Sequence, residues 1–140
     1  MTSENDQKKL QSLMLQIRSY QTGLQEISRQ AALTEQAIAE LNAAISAVED
    51  LPAKGTEAFI PLGAGVYVKG ELTDTKNLMV AVSSGVTTMK TSVESKAYLE
   101  KKKKQLEDND KMLRQQADKM NAELEQANQA AEELYAKVQK

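Results

Sequence analysis

"FIPLGAGVYVKGELTDTKNLMVAVSSGVTT", from Phe59 to Thr88, is the stretch that decides the fold of this 140-residue chain. It is rich in β-branched residues and glycine, whereas the sequence on either side has a helical pattern. Four runs favour strands, at about 57–62, 65–71, 78–83 and 86–90. "GAG" at 63–65 and "SSG" at 83–85 supply the glycines that tight turns need. The stretch therefore predicts two consecutive β-hairpins.

The sequence before the hairpins predicts one long helix with a narrow apolar seam. Apolar residues recur at alternating spacings of three and four over six heptads, with Thr34 as the only polar residue among them. A seam this narrow is typical of a two-stranded coiled coil. One set of seam positions is Leu10, Ile17, Leu24, Ala31, Ile38 and Ile45, and the other is Leu13, Tyr20, Ile27, Thr34, Leu41 and Val48.

The sequence after the hairpins predicts a second helix of the same kind. It opens with "TSVE", in which Thr91 and Glu94 have the spacing of a capping box. Charged residues interrupt the seam between Lys101 and Asp110, so we expect looser packing there. The seam residues at one position are Leu99, Leu106, Leu113, Met120, Ala127 and Leu134, and at the other Ala117, Leu124, Ala131 and Val138.

The two predicted helices have matching lengths of about 45 residues, or roughly 65–70 Å each. Matching lengths on either side of a connector favour an antiparallel pair within one chain, with Leu10 near Leu134 and Val48 near Val93. The predicted fold is mainly α, a long antiparallel two-helix coiled coil joined by two consecutive β-hairpins. Residues 1–140 form a single domain in this prediction, with helices at 5–50 and 91–139 and the hairpins at 56–90.

The predicted hairpins have apolar faces and little within one chain to pack against. Isolated two-stranded hairpins are marginally stable, and exposed strand edges tend to pair with other chains. We therefore interpret them as an assembly module in which several subunits build a closed sheet or β-barrel. A self-contained four-stranded cap is the alternative. The assembly residues predicted are Ile60, Val66, Val68, Leu78, Val80, Val82 and Val86.

The composition excludes the side chains on which most enzyme mechanisms depend. The chain has no Cys and no His, so it lacks thiolate nucleophiles, imidazole bases and the commonest zinc ligands. "GAGVYVKG" lacks the spacing of a phosphate loop and leads into a strand, and Glu107, Asp108 and Asp110 lie on a helix with no implied pocket. We expect no enzyme activity, no metal and no cofactor.

Charge and hydropathy also limit the partners. The net charge is −2, and the run "KKKK" at 101–104 spreads around a helix, so neither predicts binding to nucleic acid. The first residues contain no apolar leader, and no run of about 18 apolar residues occurs. We expect a cytoplasmic protein that does not associate with membranes.

The order helix, two hairpins, helix resembles prefoldin over nearly the whole chain, specifically the α-type subunit, which carries two hairpins. The most specific stretches are "IPLGAGVYVKG" at 60–70 and "VAVSSGVTTMKT" at 80–91. In the second turn, Ser83-Ser84-Gly85-Val86 replaces the family's Gly-x-Gly-aromatic pattern. The resemblance implies a hexamer of two α-type and four β-type subunits on a double β-barrel. It also implies ATP-independent capture of unfolded proteins and their delivery to a group II chaperonin.

Within that resemblance, the ends of the helical arms are the predicted client-binding tips. The antiparallel partner runs out there, so the last seam residues stay incompletely covered, and flexible apolar groups suit clients without fixed structure. A coiled-coil adaptor with a β-hairpin cap remains the alternative function, and frayed helix ends without a client role remain the alternative for the tips. The tip residues predicted are Leu10, Leu13, Met14, Leu134, Tyr135 and Val138.

Overall fold

The computed structural model describes residues 2–139, with side chains described for residues 4–139. The elements follow the order α1 (Thr2–Glu49), β1 (Glu57–Gly63), β2 (Val66–Glu71), β3 (Asn77–Ser83), β4 (Val86–Thr91) and α2 (Ser92–Val138). The mainly α class with two hairpins between two long helices is confirmed. Residues 1 and 140, included in the predicted domain, lie outside the described residues.

The chain divides into two compact units. The terminal unit combines α1 up to Ala37 with α2 from Leu106, and the central unit runs from Ile38 to Gln105 and contains both hairpins. The helices are 48 and 47 residues long, which corresponds to about 70 Å each. Helix α1 begins at Thr2, three residues earlier than predicted.

In the terminal unit, α1 and α2 pair antiparallel along the predicted seam. Arg114 lies 3.4 Å from Glu35, and a Cβ built on Gly23 would lie 2.8 Å from Sδ of Met120. Gly23 thus leaves room for the Met120 thioether, a reason for glycine that the sequence alone did not reveal. The deepest apolar residues here are Leu113 and Ala127. The seam is therefore the core of this unit.

Two polar residues are buried within the seam. The Thr34 hydroxyl donates to the Gln30 carbonyl at 2.9 Å, which satisfies it inside its own helix. Asp110 is only 9% exposed, and its Oδ2 lies 3.1 Å from Nε of Arg114, with which it forms an ion pair. This carboxylate is therefore buried at the seam position where the apolar pattern is interrupted, and Arg114 covers part of its charge. Looser packing between Lys101 and Asp110 stays a prediction.

The central unit holds each hairpin as a separate two-stranded antiparallel sheet. Ile60 pairs with Val68 in the first and Met79 with Met89 in the second. Positive φ angles at Gly65 (79°) and Gly85 (76°) form the turns that the glycine spacing predicts. Near each turn the register shifts by one residue, after Pro61 and after Ala81, which adds local twist.

The predicted capping box at the start of α2 is confirmed. The backbone N–H of Glu94 donates to Oγ1 of Thr91 at 3.1 Å, and the backbone N–H of Thr91 donates to Oε1 of Glu94 at 3.0 Å. The pKa of Glu94 is lowered because the backbone N–H of Thr91, together with the Thr91 side chain, hydrogen-bonds to its carboxylate. The strand-to-helix junction is therefore fixed locally by two residues.

The base of the helical pair differs from the prediction. Val93 is 77% exposed, so it does not end the seam against Val48 as expected. Ser95 is buried instead, at 1% exposure, and Lys96 lies 2.9 Å from Glu49 on α1. Ser95, two residues after Val93, therefore takes the buried position at this end of the pair, and its hydroxyl has no hydrogen-bond partner among the residues whose side chains are described.

Candidate functional site

The predicted assembly residues share one face of their hairpins. Positions alternate along each strand, and Ile60 lies opposite Val68, so these residues and their neighbours two apart point the same way. Leu78 and Val80 are half-buried, but the face is open near the turns. The remaining members are Ile60, Val66, Val68, Val82 and Val86, between 36% and 55% exposed. The inner face, as we call this set, lacks a covering layer within the chain.

The opposite face of the hairpins, which we call the outer face, is also apolar. Phe59, Tyr67, Met79 and Met89 are all more than 60% exposed. Met79 lies directly opposite Met89, and Pro61 opposite Tyr67. Sequence reasoning missed this face, although strand runs that are apolar at successive positions rather than alternate ones are the signal for it.

At the tip, the structure brings together three of the six predicted residues. Leu10, Met14 and Tyr135 line a groove of about 370 Å³ with Ile17 and Ala131, and Asn128 and Glu132 complete its lining. Met14 and Tyr135 are 58% and 56% exposed. Leu13, Leu134 and Val138 are half-buried in the seam and do not line this groove. The tip groove, as we call it, is therefore an open apolar site.

Leu15 extends the apolar surface beside the tip groove. It is 67% exposed and shares a shallow site on α1 with Met14, Gln11 and Arg18. Sequence reasoning missed Leu15 because it lies outside the heptad seam. An apolar residue at an outward helix position was the available signal.

A second groove of about 360 Å³ lies further along the terminal unit. It is mostly apolar and uses small residues on both helices, which leave the seam partly open. We call it the inner groove. Its lining is Leu24, Ile27, Ser28 and Ala31 of α1 and Leu113, Arg114, Ala117 and Asn121 of α2.

The lysine run on α2 does not form one basic site. Lys102 lies 5.4 Å from the Tyr98 ring, and Lys90 lies at the same distance. Glu100 lies 4.0 Å from Lys96, four residues earlier on the same helix. These side chains belong to a solvated helix surface near the hairpins.

The described part of the chain contains neither a cluster of metal-binding side chains nor a helix that could cross a membrane. Residues 2–139 contain no cluster of three or more carboxylates that could hold a metal ion. Within the same range, neither helix has a stretch apolar enough to cross a membrane.

Two long helices joined by two separate hairpins are characteristic of one class of coiled-coil subunit. Comparison of this chain with known protein families and structures identifies that class. The family model described as Prefoldin subunit matches residues 20–137. The chain belongs to the prefoldin family, a family of chaperones rather than enzymes.

Known relatives agree with the α-type resemblance, which is confirmed. Prefoldin subunit alpha of Methanobrevibacter smithii is 37% identical over 109 residues, covering 76% of this chain and 75% of the relative. Prefoldin subunit alpha of Methanospirillum hungatei is 26% identical over 140 residues, covering 99% and 94%. A filamentous prefoldin from Methanocaldococcus jannaschii, solved by cryo-electron microscopy, matches with a TM-score of 0.50 at 18% identity, covering 85% of this chain and 94% of that one. That last likeness concerns the fold alone.

Proposed function

We propose that this chain is an α-type subunit of an ATP-independent holdase that captures unfolded proteins. The observation that carries the proposal is the tip groove, where Met14 and Tyr135 are each more than half exposed beside the seam of the helical pair. Exposed flexible apolar groups bind chains that lack fixed structure. Each contact is weak, so affinity comes from several tips gripping one client.

The hairpins supply the means of bringing several tips together. Their inner face leaves Ile60, Val66 and Val68 half exposed, and such a face is stabilised when strands of other subunits cover it. The proposed assembly is a hexamer of two α-type and four β-type subunits joined through a β-barrel. The proposed setting is the cytoplasm, and the proposed recipient of clients is a group II chaperonin.

The tip is tested by a triple variant, Leu10→Ser, Met14→Ser and Tyr135→Ser, in the complete assembly. The expected result is loss of most of the protection that the assembly gives chemically unfolded lysozyme against aggregation on dilution, measured by light scattering. The matched control replaces three exposed polar residues of the same segments that line neither groove, Lys8, Gln16 and Gln129, with serine and retains protection.

The assembly is checked in the same samples by native mass spectrometry. Two copies of this chain with four of a smaller subunit are expected for the wild type and for both variants. A homodimer would contradict the holdase proposal and favour the coiled-coil adaptor. Full protection by the triple variant would place client binding away from the tip.

A further inference from the structure

The tip groove and the inner groove lie on the same flank of the terminal unit. On α2, Asn121 lines the inner groove, and Asn128 and Tyr135 line the tip groove. These three residues lie at a spacing of seven positions in the sequence, so they form one row along the flank. The row spans about 20 Å at 1.5 Å per residue. We refer to this surface as the grooved flank.

The opposite flank differs in chemistry. The site there is lined by Gln116, Lys119, Met120 and Glu123, and the Met120 sulfur lies over Gly23. The sites on the two flanks are therefore unequal in lining: the two on the grooved flank are lined mainly by apolar residues, and the one on the opposite flank mainly by polar and charged residues.

Charge along the grooved flank indicates which chains it takes. A carboxylate lies three residues before each member of the row, and therefore beside it on the preceding helical turn. These carboxylates are Asp118, Glu125 and Glu132. Glu132 lines the tip groove directly. All three are exposed, and none has an ion-pair or hydrogen-bond partner among the described residues.

The residues that border the grooves on α1 do not neutralise these carboxylates. They are Gln11, Arg18 and Gln25, and of these three Arg18 alone carries a positive charge. Gln11 and Arg18 adjoin Met14, which belongs to the tip groove as well. A chain bound along the flank would meet apolar surface in the middle, carboxylates on one side and mostly uncharged groups on the other. The cation that lines the inner groove, Arg114, already lies beside Asp110 and Glu35.

We propose that unfolded segments bind along the whole grooved flank, from Tyr135 inwards to Asn121, and that the flank selects segments that combine apolar residues with Lys or Arg. This inference rests on the proposed holdase function and specifies its client class. The client's apolar side chains occupy the grooves, and its Lys or Arg side chains pair with Asp118, Glu125 and Glu132 of α2. Exposed charge pairs are individually weak, so selection comes from three carboxylates acting on one segment.

The position of the client-binding surface is tested with a photo-crosslinking amino acid placed at Asn121 on the grooved flank. The matched control carries it at Gln116 on the opposite flank. The probe is an unstructured 20-residue peptide with leucine and lysine at alternating intervals, presented to the complete assembly. We expect at least about fivefold more cross-linking from Asn121. Equal yields from the two positions would overturn the one-sided surface.

Selectivity is tested with a second peptide that has glutamate in place of every lysine. The wild-type assembly is expected to bind the lysine peptide about tenfold more tightly, the sum of three weak exposed pairs. The neutralised variant Asp118→Asn, Glu125→Gln, Glu132→Gln should reduce that ratio to within about twofold. A matched variant, Asp108→Asn, Glu123→Gln, Glu133→Gln, makes the same change in net charge elsewhere on α2 and should keep it.

The outcomes separate the two proposals. Equal affinity for the two peptides in the wild type, or an equal loss of preference in both variants, overturns the selectivity while client binding stands. Failure to bind either peptide, together with no protection of unfolded lysozyme, overturns the holdase function itself.

Discussion

Nε of Arg114 lies 3.1 Å from Oδ2 of Asp110, and this carboxylate is buried in the apolar seam of the terminal unit. The other carboxylate oxygen, Oδ1, is buried without a hydrogen-bond partner among the residues whose side chains are described. Arg114 itself is 69% exposed and also reaches Glu35 across the pair. An apolar seam is thus interrupted by one charge that is only half satisfied, which is a destabilising arrangement.

Asp110→Leu is therefore expected to stabilise the protein, by about 1–3 kcal/mol in the free energy of unfolding. Leucine would continue the seam, and Arg114 would remain hydrated because it is exposed. Denaturant unfolding followed by circular dichroism measures the change. Asp108→Leu, two residues earlier on the exposed surface, should leave stability nearly unchanged. A loss of stability in Asp110→Leu would mean that the ion pair contributes more than the apolar contact.

Thr91→Ala should destabilise the start of α2 by about 1 kcal/mol, because it removes the side-chain acceptor for the Glu94 N–H. Thr91→Ser retains a hydroxyl at the same place and is expected to keep most of the stability. Amide hydrogen exchange in the first turn of α2 gives a local measure. If exchange there is the same in wild type and Thr91→Ala, the cap does not hold this junction.

The two faces of the first hairpin provide a direct comparison for assembly. Ile60→Lys places a charge on the inner face, opposite Val68, and should prevent assembly with partner subunits. Phe59→Lys places the same charge on the outer face, where Phe59 is 70% exposed, and should leave assembly intact. Native mass spectrometry distinguishes assembled from free chains. Disruption by Phe59→Lys alone would assign the interface to the outer face.

The ion pair between Glu26 and Arg29 should make α1 sensitive to acid. Side-chain hydrogen bonds from Arg29, and a further one from Gln30, lower the pKa of Glu26 from 4.5 to about 2. Because the folded pKa is below the unfolded value, the stabilisation is complete above about pH 4.5. It is lost as the pH falls from there through about 2.

Carbon NMR titration of the Glu26 carboxyl group measures this pKa. In Arg29→Gln the main cause of the shift is absent, so the pKa should return towards its ordinary value, and Glu26→Gln should remove this part of the acid dependence. A Glu26 pKa that stays low without Arg29 would assign the shift to another cause.

Much of the local structure was predictable because short-range patterns carry it. Heptad spacing predicted the seam, the glycines at 65 and 85 predicted the turns, and Thr91 with Glu94 predicted the helix start. Each of these signals depends on residues no more than a few positions apart. Of the residues predicted for the tip, Leu10, Met14 and Tyr135 line the groove, whereas Leu13 is half-buried in the seam, and client binding by any of them stays a prediction.

The sequence by itself determined two amphipathic helices, two hairpins and their order, because periodicity and turn chemistry act within each segment. Only the tertiary structure decided that Asp110 is buried, that Met120 fills the space above Gly23, and that small residues leave open grooves on one flank. The physical reason is that these features depend on which side chains of α1 and α2 lie opposite each other. That juxtaposition joins residues about a hundred positions apart along the chain, and no local pattern specifies it.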